Sequence, residues 1–334
     1  MTSQDELFMQ RCLDIALWAE GKTSPNPMVG AVLVYNNRII GEGFHQKAGA
    51  PHAEVNCFAS VKAEDEVFLP HSTLYVSLEP CSHFGKTPPC VDLVLKKGVR
   101  RVVVAMKDPF PQVAGRGIQK LRNNGVEVVC GVLEEQAEYL NRFFLTAVRK
   151  KRPYVTLKWA ESEDGYIDSL RTSPEEPPFV LSTPLRQREV HRLRAIHDAI
   201  LVGRNTVVWD NPKLTNRYWS GKSPIRIVLD KQLSLLKTGT YHLFVPNDVP
   251  TWIVVAPDAD TSLLPSHLRA IRWDSERGEL SQLLEELKRQ GIQSLLVEGG
   301  AYTLQAFIDQ NLYDAIDREV APLLLKEGVK APLL

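Results

Sequence analysis

His52-Ala53-Glu54, followed by Pro80-Cys81 and Cys90, constrains this chain more than any other feature. An imidazole nitrogen and two thiolates fill three corners of the tetrahedron that zinc prefers, leaving the fourth for water. A zinc ion lowers the pKa of such a water toward neutrality. Glu54 lies two residues from the histidine and is not needed as a ligand. Its carboxyl is therefore available to carry protons between the water and a leaving group. The spacing places His52 and Glu54 in the first turn of a helix and puts Cys90 at the start of another. A helix N-terminus carries partial positive charge and helps keep a cysteine as thiolate. The competing reading is a structural zinc clip, closed by His83 or His45 as a fourth ligand. An expendable carboxyl such as Glu54 counts against it.

The order H-x-E…P-C…C is that of the zinc-dependent base deaminases. Eight residues separate Cys81 from Cys90, however, so the loop is longer than in the C-x-x-C form. Hydrolytic deamination delivers a hydroxide to an amidine carbon and a proton to the departing amine. A zinc-activated water and Glu54 would supply both.

At 334 residues the chain exceeds what one hydrophobic core usually serves, so two domains are expected. Forty basic residues balance forty acidic ones, and no net field points to nucleic acid as a partner. No apolar run approaches the roughly 20 residues of a membrane span. The first ten residues lack the basic and apolar regions of a signal peptide. Five cysteines are an odd count for a disulfide framework, and two are claimed by the metal motif. A reducing cytoplasm fits, with Cys12, Cys57 and Cys130 as buried small hydrophobes.

Helix and strand patterns alternate over the first 145 residues. Phe8, Cys12, Ile15 and Ala19 share one helical stripe over 5–20, ended by Gly21. Strands are expected at 31–35 and 38–44 around the turn Asn36-Asn37, then at 74–78, 101–106 and 126–130. Helices are expected at 52–61, 90–97, 117–123 and 133–148. The basic stretch Arg149-Lys150-Lys151-Arg152, before Pro153, reads as a solvated joint. Beyond it, buried strands are expected at 154–159, 199–203, 225–229, 252–256 and 294–297, with helices at 184–196, 279–290 and 301–309. The expected organisation is a domain over 1–147, a linker over 148–153 and a second α/β domain over 154–334. In the latter, Glu298-Gly299-Gly300 stands between a strand and a helix, where backbone amides can approach a phosphate.

PNPMVGAVLV, GEGFHQKAGAPHAE, SLEPCSHFGKTPPC and DPFPQVAGRG resemble segments of the bifunctional deaminase/reductases of riboflavin biosynthesis. The likeness continues through KWAESEDG, LRAIHDAILVGRNTVVWDNPKLTNR, PIRIVLD and LLVEGG. The resemblance implies a cytidine-deaminase-like three-layer α/β/α domain followed by a dihydrofolate-reductase-like α/β domain. It implies zinc-dependent deamination of 2,5-diamino-6-ribosylamino-4(3H)-pyrimidinone 5′-phosphate, then NADPH-dependent reduction of the ribosyl group. The cofactors would be one Zn²⁺ per deaminase domain and NADPH, in a cytoplasmic homo-oligomer that binds neither nucleic acid nor membrane.

Carried over by resemblance, Glu54 would be catalytic, and His52, Cys81 and Cys90 would hold the metal. Asn26, His45, His83 and Lys86 would contact the substrate of the first reaction. Ala160, Phe179, Thr206, Asp210 and the run Gly300, Ala301, Tyr302, Thr303, Leu304, Gln305 and Ala306 would bind the cofactor. Arg194, Leu214, Arg217 and Glu298 would bind the second substrate, two arginines suiting a ribose phosphate. Several positions depart from the family. Phe179-Val180-Leu181-Ser182 replaces a tryptophan-containing motif, Pro177 replaces a serine, and Asp108-Pro109-Phe110-Pro111 replaces DPNP. The tail after Leu325 stops at Leu334, earlier than in longer members, and is expected to lack a final strand.

Overall fold

A computed structural model of the chain describes residues 3–84, 88–110, 114–274 and 280–334. The chain divides into two compact units, Met1–Lys150 and Lys151–Leu334.

The first unit runs α1 (Ser3–Leu17), β1 (Gly30–Tyr35), β2 (Arg38–Phe44), α2 (Ala53–Ala59), β3 (Thr73–Leu78), α3 (Cys90–Lys96), β4 (Arg101–Met106), α4 (Arg116–Asn123), β5 (Glu127–Cys130), α5 (Glu134–Leu140) and α6 (Arg142–Arg149). Its sheet has the order β2-β1-β3-β4-β5. β1 is antiparallel to β2 and β3, whereas β3, β4 and β5 are parallel. Alternating residues of each strand face opposite layers, as the pleat requires. Leu33, Leu74 and Val102 pack with Cys57 of α2, Val91 of α3 and Leu121 of α4. Val32, Tyr75 and Val103 pack on the other face with Cys12 of α1, Ala137 of α5 and Leu145 of α6. This is the three-layer α/β/α arrangement.

Two expected elements differ. The first helix stops at Leu17 rather than near Gly21, and Ala19 is buried in the turn that follows. The helix expected over 133–148 is two, α5 and α6, because Asn141 lies between them. Its amide is spent elsewhere, accepting from Met28 N at 2.8 Å and donating to Met28 O at 3.0 Å.

The second unit contains β6 (Tyr154–Ser162), β7 (Tyr166–Asp168), α7 (Pro184–Ile196), β8 (Ala199–Gly203), α8 (Arg204–Asp210), β9 (Ile225–Leu229), α9 (Leu235–Thr238), β10 (Thr251–Val255), β11 (Leu268–Arg272), α10 (Leu280–Arg289), β12 (Ser294–Val297), α11 (Ala301–Asp309), β13 (Ala315–Ala321) and β14 (Val329–Lys330). Seven strands form one sheet in the order β11-β10-β9-β8-β12-β6-β13, with every pairing parallel. Leu283 and Leu287 of α10 and Phe307 of α11 cover one face. Val207 of α8 and Leu235 of α9 cover the other, with Leu193 of α7 packed alongside. The chain builds outward from β8 to β11 and then returns to β12, beside β8. In open parallel sheets such a reversal opens a crevice at the carboxyl ends of the strands. β14 pairs antiparallel with β7, so a strand does form beyond Leu325.

Glu79 ties the first unit together next to Cys81. Its carboxylate is buried and accepts backbone N–H bonds from Asp108 (3.2 Å), Gly115 (2.8 Å), Gly117 (2.9 Å) and Ile118 (3.2 Å). It thereby joins the end of β3 to the segment after β4 and the start of α4. Glu79→Ala would strand buried donors, at a cost of about 2–4 kcal/mol. Thermal unfolding should accordingly show a lower Tm for the first unit. An unchanged Tm would show that these bonds do not hold the segment.

Candidate active sites

Local chain geometry delivers each of the side chains that could hold a metal. His52 is the residue before α2, in extended conformation (φ −68°, ψ 162°), and Glu54 lies in the first turn. Cys90 opens α3 directly after Pro89. Cys81 lies on the loop leaving β3. Their donor atoms all lie within 4.8 Å of one another. His52 Nδ1 is 3.3 Å from Cys90 Sγ and 3.7 Å from Cys81 Sγ. For a tetrahedral zinc with ordinary Zn–N and Zn–S bond lengths, the N···S edge is about 3.6 Å. The side chains thus already stand at ligand spacing, and a nitrogen with two sulfurs is the donor set zinc favours. The three residues fit the ion.

Electrostatics point the same way. A hydrogen bond from Cys90, and then one from His52, draws the Cys81 thiol down to about 4. Cys90 is pushed up by the same shared proton. The hydrogen bond to Cys81 raises His52 above its ordinary value. Burial raises Glu54 above the ordinary carboxylic acid range. Its carboxyl is not one of the three clustered donors, and Cys81, His52 and Cys90 are among the groups that act on its charge.

The structural clip finds no support. Among the described residues, no fourth histidine, cysteine or carboxylate joins the cluster. Both nitrogens of His45 are engaged, Nδ1 with Pro51 O at 3.0 Å and Nε2 with the Asn26 amide at 3.1 Å. A ring that donates from Nδ1 must accept at Nε2, so Asn26 donates. The His45 ring lies 5.9 Å from that of His52, edge to face. Asn26 and His45 therefore form a bonded pair beside the metal ligands. His83 is exposed on the loop between the cysteines. Lys86 and Pro111 lie outside the described residues. Phe110 is half exposed and meets Phe144 edge-on at 6.0 Å.

A second site occupies the crevice at the β8/β12 reversal, a cavity of about 1820 Å³. That exceeds the several hundred Å³ of a typical single-ligand pocket. Gly299 and Gly300 make it possible. A Cβ on Gly299 would stand 2.6 Å from Val202 Cα, so β12 could not leave the sheet so close to β8. Gly300 has φ +65°, a left-handed conformation that favours glycine, and immediately precedes α11.

Of the residues assigned to this half by resemblance, Ala160, Phe179, Thr206, Asp210, Arg194, Arg217 and Glu298 line the cavity. So do Gly300 to Leu304 and Ala306. Two do not line it. Leu214 is buried in the core, and Gln305 bonds Leu333, accepting from its N at 2.7 Å and donating to its O at 3.2 Å. Arg194 grips Glu298 through two bonds, 2.9 and 2.6 Å. Burial opposes the charge on Glu298, but Arg194 overrides it and holds the carboxyl below its ordinary range. Asp210 pairs with Arg171, whose guanidinium also reaches Asp168 at 2.7 Å.

Several residues of these sites had no assigned role in the sequence. Glu79 precedes the Pro80-Cys81 pair, and a carboxylate there could have drawn notice. Arg171 and His191 stand in segments with no motif, and only folding brings them to the cavity.

Relatives carry both halves. A family described as "Cytidine and deoxycytidylate deaminase zinc-binding region" matches residues 2–106, and the "RibD C-terminal domain" family matches 153–331. The "Riboflavin biosynthesis protein RibD" of Aquifex aeolicus is 40% identical over 329 residues, spanning 97% of this chain and 89% of that protein. Its namesake in Escherichia coli is 38% identical over 96% of this chain and 89% of that protein. Among solved structures, a diaminohydroxyphosphoribosylaminopyrimidine deaminase/5-amino-6-(5-phosphoribosylamino)uracil reductase from Thermotoga maritima superposes with a TM-score of 0.87. It shares 38% identity, covering 98% of this chain and 89% of that one. RibD of Acinetobacter baumannii gives 0.86 at 36% identity, again with 98% and 89% covered. With both sites, both domain families and near full-length relatives in agreement, the chain belongs to the RibD family of bifunctional deaminase/reductases of riboflavin biosynthesis.

Proposed function

We propose that this chain carries out two consecutive reactions. The first unit deaminates 2,5-diamino-6-ribosylamino-4(3H)-pyrimidinone 5′-phosphate, and the second reduces the ribosyl group of the product to ribityl with NADPH. The observation that carries this reading is the three-donor set of His52, Cys81 and Cys90 with the buried Glu54 beside it.

Zinc held by those three residues supplies Lewis acidity and makes water more acidic. Glu54 does the proton work. Its carboxylate takes a proton from the attacking water and returns one to the amine nitrogen, which leaves as ammonia. A carboxyl whose proton affinity burial raises suits both halves of that exchange, since it accepts a proton more readily than an exposed one and can pass it on. Asn26 and His45 would hold the pyrimidine, with His83 and Lys86 near its phosphate.

In the second unit the cofactor brings the hydride, and the protein's task is orientation. Residues 300–306, at the start of α11, would line the cofactor phosphates, with Ala160, Phe179, Thr206 and Asp210 along the cofactor's path. Glu298 and Arg194 would fix the ribose side of the substrate, and Arg217 would meet its phosphate. The net charge of zero supports a small substrate rather than a nucleic acid. All five cysteines are free thiols, which suits a reducing compartment such as the cytoplasm. A homo-oligomer is the working assembly that the resemblance supports.

Glu54→Gln should retain zinc and lower ammonia release by about 10²–10⁴-fold. NADPH oxidation on already deaminated substrate should stay at the wild-type rate. Undiminished ammonia release would remove Glu54 from the chemistry. Stripping the metal with a chelator should likewise abolish deamination and spare NADPH oxidation. Equal loss of both activities would contradict the division of labour.

A further inference from the structure

We propose that His191 is a positioning residue of the reductase site, seating the segment that carries Arg217 against the cavity by accepting its backbone N–H groups. The inference rests on the reading above, in which this cavity is the reductase site and Arg217 meets the substrate.

His191 lies on α7 three residues before Arg194, so the two share one face of the helix. The ring is buried, 4% exposed, and borders the cavity. Its Nδ1 accepts from the backbone N–H of Arg217 at 2.7 Å and of Tyr218 at 3.3 Å. The Tyr218 ring packs on the imidazole with centroids 4.6 Å apart. An imidazole nitrogen accepts only when it carries no proton, so these bonds require a neutral ring with its hydrogen on Nε2. The surroundings enforce that state. Burial, followed by the charges of Arg194 and Arg217, pushes His191 down to about 4, against smaller opposing effects of Asn216 and Glu298.

The segment needs such a support. Residues 211–224 form no helix or strand. Leu214 anchors one end in the core at φ +51°, an unusual conformation for a leucine. Asn216 closes the turn upon itself, its N donating to Ser223 Oγ at 3.0 Å and its amide to Trp219 O at 2.9 Å. The His191 bonds link that turn to the helix holding Arg194, which is itself locked onto Glu298. They therefore set the position of Arg217 relative to the Arg194–Glu298 pair. Arg217 is exposed, and its guanidinium donates to Thr215 Oγ1 at 2.9 Å and lies over the Tyr218 ring at 5.6 Å.

The test compares the full-length wild-type enzyme with His191→Ala, His191→Asn, Arg217→Ala and the His191→Ala/Arg217→Ala double variant. NADPH oxidation is followed against both the deaminated pyrimidine and NADPH. Arg217→Ala should raise the KM for the pyrimidine at least about tenfold, as loss of a charged contact does. His191→Ala should raise the same KM by about five- to tenfold, the loss of two backbone bonds. The KM for NADPH and ammonia release should stay near wild type. His191→Asn should recover most of the loss, because its Oδ1 can accept near the place of Nδ1. The double variant should be no worse than Arg217→Ala, since His191 acts through Arg217. Additive effects, an equal rise in the KM for NADPH, or an Asn variant as impaired as Ala would overturn the inference alone. An Arg217→Ala enzyme with wild-type KM would overturn both the role of Arg217 and the inference built on it.

Discussion

The meeting of one imidazole and two thiols at a single point is the constraint on which the first unit depends. His52 ends the connection from β2 to α2, whereas Cys81 and Cys90 stand at the two ends of the loop from β3 to α3, and the three donor atoms nevertheless lie within 4.8 Å. β3 delivers Cys81, and α2 and α3, packed on the same face of the sheet, present His52 and Cys90 at their N-terminal ends. Thiols brought so close share a proton, and one of them becomes strongly acidic. Such a cluster is poised to give up protons to a cation. Polar side chains that are not ligands brace it. Glu79 binds the segment beyond Cys81, Asn141 binds Met28, and Asn26 orients His45.

Much of this was legible in the sequence because the chemistry is local. The order His-x-Glu…Pro-Cys…Cys fixes residue types, and helix-start signals place them at junctions. Strands β1, β3 and β4 announced themselves as apolar runs, being buried on both faces by helices. Elements without such runs escaped notice. β13 carries Asp317, Arg318 and Glu319 in sequence, since it is an edge strand whose charges pair with Arg186 and Glu161. β11, also at an edge, carries Arg269 and Arg272 within five residues, both exposed, which break up its apolar run. The short helices α8 and α9 have too few turns to show a period.

The second unit was harder to read for a different reason. Its site is a crevice made by strand order, and strand order is a non-local property. Glu298-Gly299-Gly300 gave a local hint, and the structure supplies its cause in the close approach of Gly299 to Val202. The partners of Arg194 and Asp210 were not foreseeable, because Glu298 lies 104 residues from Arg194 and Arg171 lies 39 from Asp210. His191 lies 26 residues from the Arg217 backbone it supports, again beyond the reach of local pattern.

The central claim is that three side chains hold the metal while the fourth corner stays open to water. X-ray absorption spectroscopy of the zinc-loaded, substrate-free protein reads that shell directly. The arrangement described here predicts two sulfur ligands at about 2.3 Å and two lighter ligands at about 2.0 Å, of which one exchanges when a substrate analogue binds. A shell of four protein ligands, indifferent to the analogue, would contradict it.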